Sequence, residues 1–489
     1  MGLETKNQIK TKKKYSEKRS SYDPISLLAI ASPVKGCSVM TPLGTQFWEE
    51  VKEKIDTEHK RIGVKNVMLP LFIPMSVSKK VFTRRDFNKE FVVIKELPRR
   101  KKLSDFLVIR PTSEVLFSFV FSKLIHSYRD LPCLLNQWCN VVRWEKSNKV
   151  LLRANEFWWQ EGHGVYDDQK KKEERELFAK IASMYRKILS DSFALSVKEG
   201  WKTKLETFSG AKKTYTFESL LPDGQTLQLA TIHFLSSKFT SVYKTVFRDR
   251  HNNLRIPAQI SWGLSTRLLG AMAKIHFTQK DRLVTPPFVS PTQLLILVIS
   301  TDCDTKEKEN EKGKCYFLSR KFFSLKELFR VQINHVKNLE HLLILKKRGL
   351  AEGVPVIFEC RETKNECFES YITISSSGLK KSILPSQLTS LLIRKTILQI
   401  QQRLKIKQEN VTKLNTHNFS SVDDLKKLLD ENKVGFFKGV FCGKITCERS
   451  IRDAFGLASV LTSGKSFKSL FCFFCGSSPA KVSFFGRKY

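Results

Sequence analysis

Acidic residues and long apolar runs are what this sequence has least of. The 489 residues carry 48 Asp and Glu against 85 Lys and Arg, a formal charge of +37. That balance calls for a polyanionic partner, nucleic acid before membrane, although the excess is spread along the whole chain as biased coding composition would also spread it. The longest apolar run, Leu294 to Ile299, suits a buried strand, whereas a membrane-spanning helix needs about 20 apolar residues. A secretory signal is missing too: the first residues, MGLETKNQIKTKKK, are too charged. Myristoylation of Gly2 is disfavoured because Lys6 stands where Ser or Thr is wanted. The 11 cysteines therefore read as free thiols or metal ligands in a reducing compartment, not as a disulfide framework. The expectation is a soluble, cytoplasmic protein with no membrane partner.

The length exceeds one ordinary domain, and a 41% hydrophobic share can bury several cores. Residues 1–22 form a basic, unpatterned tail, expected to be disordered. From Gly44 to Gly63 the pattern is helical: Phe47, Val51 and Ile55 recur every four residues, and Gly63 sits where a C-terminal cap belongs. An extended run, KNVMLPLF, follows.

The densest chemistry lies between Asn136 and His163, NQWCNVVRWEKSNKVLLRANEFWWQEGH. It reads as two strands around a polar loop, Lys146 to Lys149, with Arg143 and Glu145 on one face by the period-two alternation of a strand. The return strand gathers Phe157, Trp158, Trp159, Glu161 and His163. A buried guanidinium needs a carboxylate or phosphate. Taken alone, R-x-E is more often a structural ion pair.

This stretch resembles motif 2 of the class II aminoacyl-tRNA synthetases, and LNQWCNVVRWE with EFWWQEGH is similar to the prolyl-tRNA synthetase version. Other segments fall into the same order. The helix from Gly44 and its following strand resemble motif 1, which in that family builds a dimer interface. IRPTSEVL, in which Thr112 and Glu114 share a face on a strand or turn, resembles the loop that binds the substrate amine; outside this pattern a helix N-cap is the simpler reading. QTLQLATIHFLSSKF brings Gln228, Thr231 and His233, and a lone histidine there would ordinarily be a core residue. SWGLSTRLLGAM resembles motif 3, with Gly263 placed for close ligand approach and Arg267 on the following helix.

The resemblance implies an α+β protein: an antiparallel-sheet catalytic domain with helices over 23–285, an α/β anticodon-binding domain over 286–405, and a small α/β zinc-binding domain over 406–489. It implies ATP-dependent attachment of L-proline to tRNA(Pro), magnesium on the phosphates and a homodimer. Arg143 would hold the α-phosphate and the proline carboxylate, and Arg267 the γ-phosphate. ATP would also meet Glu145, Arg153, Phe157, Gln228, Thr231 and Ser265. Thr112 and Glu114 would take the proline ammonium, Trp159, Glu161, His163 and His233 would wall the ring, and Ser261 and Trp262 would floor it. No stretch between motifs 2 and 3 is long enough for the editing insertion of bacterial relatives. The chain departs from the family at Asn155, Leu229-Ala230, Phe277-Thr278 and Phe288.

Beyond Pro286, strands are expected over Thr292–Ser300 and Val354–Cys360, and helices over Lys326–Lys347 and Pro385–Leu404. Further on, Cys442-x4-Cys447 and Cys472-x2-Cys475 fit a closed, structural zinc site; buried core cysteines are the plainer alternative. The ending SSPAKVSFFGRKY resembles the C-terminal extension of the archaeal and eukaryotic type. A catalytically silent relative that only binds tRNA would keep the fold but have no use for a triphosphate clamp. A threonine enzyme would want an active-site zinc, and no Cys-His-His set stands out in the catalytic segment.

Overall fold

The alternating strands of the sequence pair into one eleven-stranded sheet. From edge to edge it runs Thr416–Asn418, Phe436–Phe441, Lys481–Gly486, Ala458–Thr462, Val197–Trp201, Lys213–Leu220, Thr226–Ser236, Ala258–Ser265, Glu156–Tyr166, Cys133–Val142 and Lys65–Asn66. Only the outermost pairing at each end is parallel. The computed structural model describes residues 23–82, 91–98, 101–237, 239–277, 282–299, 322–362 and 368–489. The expected tail over 1–22, and Thr278, lie outside the described residues.

One side of the sheet is closed by helices Pro42–Arg61, Lys171–Arg186 and Arg267–Ile275, whose Phe47, Val51, Ile55, Ile181, Tyr185 and Leu268 share a core with Phe217, Ile232 and Ile260 of the strands. Thr41 caps the first helix, its hydroxyl accepting from the Gly44 N–H, and Gly63 follows the last turn at φ 83°, a left-handed position that a side chain disfavours. Because side chains alternate across a strand, the other face of the same strands is free to form a cleft.

A second, five-stranded sheet runs Val331–Val336, Leu294–Ile299, Val356–Glu362, Phe368–Ile374 and Leu379–Ser382. Its first three strands are parallel and the rest antiparallel, an α/β layer covered by helices Leu339–Ala351 and Ser390–Leu414. Two expectations are corrected here. The helix expected over Lys326–Lys347 is a strand, Val331–Val336, followed by a helix that starts only at Leu339, where the Asn338 side chain accepts from the His341 N–H. The alternation in VQINHV outweighed a helical reading that ignored the cap. The helix expected over Pro385–Leu404 starts at Ser390, capped by Thr389, and continues to Leu414 because no breaker precedes Asn415. The expected strands near 294 and 356 are present.

The C-terminal strands join the rest of the eleven-stranded sheet through a single residue pair, Thr462 with Trp201. Phe419, Leu425, Phe441, Ile451 and Phe485 form their core, together with Cys447 and Cys472.

Candidate active site

Register across the free face of the sheet builds the site in two rows. Thr214, His233, Ser261 and His163 stand side by side on four neighbouring strands. Thr231, Gly263, Glu161 and Gln137 form the next row. Thr214, His233, Ser261, His163, Thr231, Gly263 and Glu161 line a cleft of about 230 Å³ with Thr112, Glu114, Arg143, Phe157, Trp159, Gln228, Ser265 and Arg267. The Trp262 ring, expected in the floor, turns instead to the helix side of the sheet, where its Nε1 donates to His59 Nε2 at 3.1 Å. Gln228 and Thr231 are three apart, so a regular strand would aim them at opposite faces. A register shift in the pairing leaves Leu229 without an opposite residue, and that extra residue turns Gln228 back into the cleft.

At one end two carboxylates are buried together. Glu161 accepts from the Ser113 N–H at 2.8 Å, Gln137 Nε2 at 3.1 Å and His163 Nε2 at 3.1 Å. The other imidazole nitrogen, Nδ1, faces the Gln259 amide at 2.9 Å, and Phe117 stacks on the ring at 4.0 Å. Glu114 accepts from Thr112 Oγ1 at 2.5 Å. Burial, and then the nearby Glu161 charge, push the Glu114 carboxyl above its ordinary range. For Glu161 burial acts upward too, but the His163 and Ser113 hydrogen bonds outweigh it and hold the group low. The pair therefore favours one proton between two acids, and a ligand cation can replace that proton. Ser261 Oγ is buried in the same wall with no protein partner.

Towards the other end stand the two arginines. Arg143 donates Nε to the Pro111 carbonyl at 2.8 Å and lies over the Phe157 and Trp159 rings at 5.5 and 5.3 Å. Arg267 donates to the Leu152 and Gln228 carbonyls at 2.9 and 3.3 Å. It opens helix Arg267–Ile275, where the macrodipole disfavours a cation, and its burial, chiefly, weakens its hold on its proton. Neither arginine forms an ion pair with a carboxylate among the described residues. Two fixed guanidinium groups in one cleft without counter-ions make a receptor for a polyanion. His233 is held neutral, its pKa driven to about 3 by burial and then by Arg143, and it shares a 2.9 Å hydrogen bond with Thr214.

Three local expectations change. The strand ends at Val142, so Arg143 and Glu145 lie beyond it, and Glu145 pairs with Arg153 at 2.8 Å rather than with Arg143. Arg153 and Glu145 flank a side chamber that also includes Arg267, Lys202, Glu218, Gln228, Lys488 and Tyr489. A Cβ on Gly263 would come within 3.3 Å of the Trp159 ring, so this glycine seats a tryptophan against the strand. Gly162 does the same more strictly, since its Cβ would fall 2.1 Å from the Trp262 ring. Asn155, one of the departures, is buried: its side chain accepts from the Glu145 N–H at 2.8 Å and donates to the Lys35 carbonyl at 3.0 Å, fixing the loop.

Glu206, Phe208 and Thr214 also line the cleft and were missed by sequence reasoning. Their segment, apart from Thr214, is irregular, and no periodicity marks it. Arg452 Nη2 lies 2.5 Å from one Glu206 oxygen and Lys488 contacts the other, so the C-terminal module buttresses this wall.

Residues 94–276 match the family described as tRNA synthetase class II core domain (G, H, P, S and T). A proline--tRNA ligase of Natranaerobius thermophilus is 34% identical over 462 residues, 94% of this chain and 93% of that protein. Proline--tRNA ligase 2 of Bacillus cereus is 32% identical over 459 residues, with the same shares covered. The chain belongs to the proline--tRNA ligase family. Among solved structures it is similar to prolyl-tRNA synthetase from Cryptosporidium parvum, complexed with halofuginone and AMPPNP, at 27% identity and a TM-score of 0.83 over 95% of this chain and 93% of that one. The same synthetase complexed with L-proline and AMP gives a TM-score of 0.82 over the same shares.

The C-terminal cysteines of the synthetase were tested against zinc by distance. The Sγ atoms of Cys442, Cys447, Cys472 and Cys475 all lie within 4.8 Å of one another, and the Cys442–Cys475 and Cys447–Cys472 pairs are 3.8 Å apart. Tetrahedral zinc with sulfur at about 2.3 Å requires sulfur–sulfur edges of about 3.8 Å, whereas a disulfide requires about 2.05 Å. The residues fit zinc. Glu114, Glu161 and His163 also cluster closely enough for a metal, but both His163 nitrogens have protein partners, as described above.

Proposed function

We propose that this chain joins L-proline to tRNA(Pro) in two ATP-dependent steps, and that the ends of the cleft divide the substrates. The observation that carries the assignment of residues is the convergence of Arg143 and Arg267 on one cavity whose far end holds Thr112, Glu114, Glu161 and His163. Proline brings a secondary ammonium, which replaces the proton shared by the two acids and donates to Glu114 and Thr112. Trp159, His163 and His233 wall its saturated ring, and Ser261 forms the floor. Its carboxylate, held by Arg143, attacks the α-phosphate of ATP in line, and pyrophosphate leaves. Arg267 holds the γ-phosphate, Phe157 stacks on adenine, and Gln228, Thr231, Ser265 and the Glu145–Arg153 pair complete the nucleotide contacts. In the second step a hydroxyl of the terminal tRNA ribose attacks the prolyl carbonyl, AMP leaves, and the adenylate phosphate takes the proton.

Magnesium carried in with ATP would neutralise phosphate charge; the side-chamber carboxylates do not make a site for it, since Glu145 pairs with Arg153 and Glu218 with Lys202. Zinc in the four-cysteine site would be structural. The four-cysteine module supports the archaeal and eukaryotic type within the family. A homodimer built on the Pro42–Arg61 region, an anticodon-binding role for 286–405, and a cytoplasmic location complete the reading; no described helix is long and apolar enough to cross a membrane. Proline-dependent ATP–pyrophosphate exchange by the purified chain tests it. Exchange with proline and not with threonine or alanine is expected, and folded protein without exchange would favour a silent tRNA-binding relative.

A further inference from the structure

Outside the active-site cleft a strongly basic cavity of about 570 Å³ lies between the catalytic sheet and the C-terminal module. Its lining includes Lys202, Lys204, Lys212 and Lys213 from the catalytic side and Lys444 and Lys481 from the module, with no carboxylate among the lining residues. Lys202 and Lys213 are partly neutralised by Glu218 at 2.6 Å and Glu174 at 3.7 Å. Lys204, Lys212, Lys444 and Lys481 form no ion pair with a carboxylate among the described residues. Even with the Cys442 thiolate of the four-cysteine site among the lining residues, this many like charges from two modules favour a polyanion in the hollow. Helix Ile445–Phe455 begins at the same place with no side chain capping its N-terminus, which adds to the positive potential. A further carboxylate behind the wall, Glu448, is buried and accepts from Thr203 Oγ1 at 2.9 Å.

The position of this cavity narrows the choice of anion. Segment 202–214 is its shared wall with the active site: Glu206, Phe208 and Thr214 face the cleft, while Lys204, Thr207 and Lys212 face the basic hollow. An RNA whose terminal ribose reaches the adenylate must pass its preceding phosphates over a rim of the cleft, and this rim carries four unpaired ammonium groups. We infer that the lysine-lined cavity between the catalytic sheet and the C-terminal module, with Lys204, Lys212 and Lys444 at its mouth, holds backbone phosphates of the tRNA acceptor end. The inference rests on the function proposed above and adds the acceptor-end docking surface to it. A free phosphate or pyrophosphate would satisfy the same chemistry, so the test separates the two sources.

The test compares the full chain with a triple variant, Lys204→Ala, Lys212→Ala and Lys444→Ala, and with Lys→Arg at the same positions. Proline-dependent exchange and zinc content should be unchanged in both, which establishes folding and keeps the two failures distinguishable: absence of exchange by the unsubstituted chain would remove the parent reading and this inference with it, whereas normal exchange with unaltered charging would remove this inference alone. For charging, the alanine triple should raise the KM for tRNA(Pro) transcript on the order of tenfold and reduce the slope of log(kcat/KM) against log[salt] by about three, one per lost phosphate contact. The arginine triple should restore both. An acceptor-stem minihelix lacking the anticodon should show the same loss. Lys212→Ala alone should reduce the slope by about one, so the inference remains testable if the triple fails to fold. Unaltered charging, a loss seen with whole tRNA but absent with the minihelix, or a changed KM for pyrophosphate in exchange without a charging defect would each overturn it.

Discussion

Arg143 and Glu114 concentrate the chemistry of the cleft, one as a fixed cation and the other as an acid whose ionisation burial opposes. Arg143 hydrogen-bonds a carbonyl and lies over two aromatic rings, so its removal leaves no buried carboxylate unpaired. Arg143→Ala should therefore lower proline-dependent exchange about 10²–10³-fold, the usual loss for a single preorganised electrostatic contact, with the thermal unfolding midpoint nearly unchanged; normal exchange would refute the role. Glu114 gives a pH signature. The groups around it are Glu161 and His163 on the adjoining strand, and its raised pKa arises from burial first and the Glu161 charge second. Its ionised form receives the substrate ammonium, so the KM for proline should fall as pH rises through that ionisation. Glu114→Gln should raise the KM and flatten the profile; an unaltered profile would assign the titration elsewhere. At this scale much was legible. The residues that the resemblance nominated for proline and ATP, Glu145, Arg153 and Trp262 excepted, stand together in one cleft. The partner of Glu145 was not legible, because the strand stops one residue before Arg143 and the period-two argument no longer applies. Glu206 was also invisible, since its role depends on Arg452 and Lys488, 246 and 282 residues away.

Elements were read best where a periodic stripe was long and capped. Pro42–Arg61 shows a four-residue apolar repeat between Thr41 and Gly63, and the sequence located it closely. Val331–Val336 was lost inside a helical reading because six half-exposed alternating residues are a weaker signal than the thirteen-residue helix behind them. The register shift at Leu229 could not be foreseen, since a single unpaired residue leaves no trace in composition. The C-terminal module makes its own prediction. Its core is small and includes two of the four cysteines, so metal should supply much of its folding free energy. Elemental analysis should find one zinc per chain. Chelation or Cys447→Ser should unfold this module at a lower temperature than the catalytic domain while reducing exchange less than tRNA charging. Absence of zinc from the purified protein would eliminate the four-thiolate site.

For the whole molecule, three buried imidazoles set the acid limit. His233, His276 and His59 are held near pKa values of about 3, 4 and 4, in each case chiefly by burial. A histidine whose folded pKa is depressed binds its proton more readily when unfolded. Stability is then full above the unfolded value of about 6.5 and declines as pH falls towards the folded value. At pH 4 a group such as His276, shifted from 6.5 to about 4, would cost roughly 3 kcal/mol. The unfolding midpoint should drop steeply between pH 6 and pH 4, and His276→Gln, which keeps a donor towards the Phe193 carbonyl, should shallow that slope. A flat profile over this interval would contradict the buried-imidazole account.

The eleven-stranded sheet also bears on how this protein behaves when crowded. Its outermost strands, Lys65–Asn66 and Thr416–Asn418, are two and three residues long, so an intruding chain finds almost no open ladder to extend. A wide sheet that tapers in this way offers a neighbouring molecule little ladder at either of its two outermost strands.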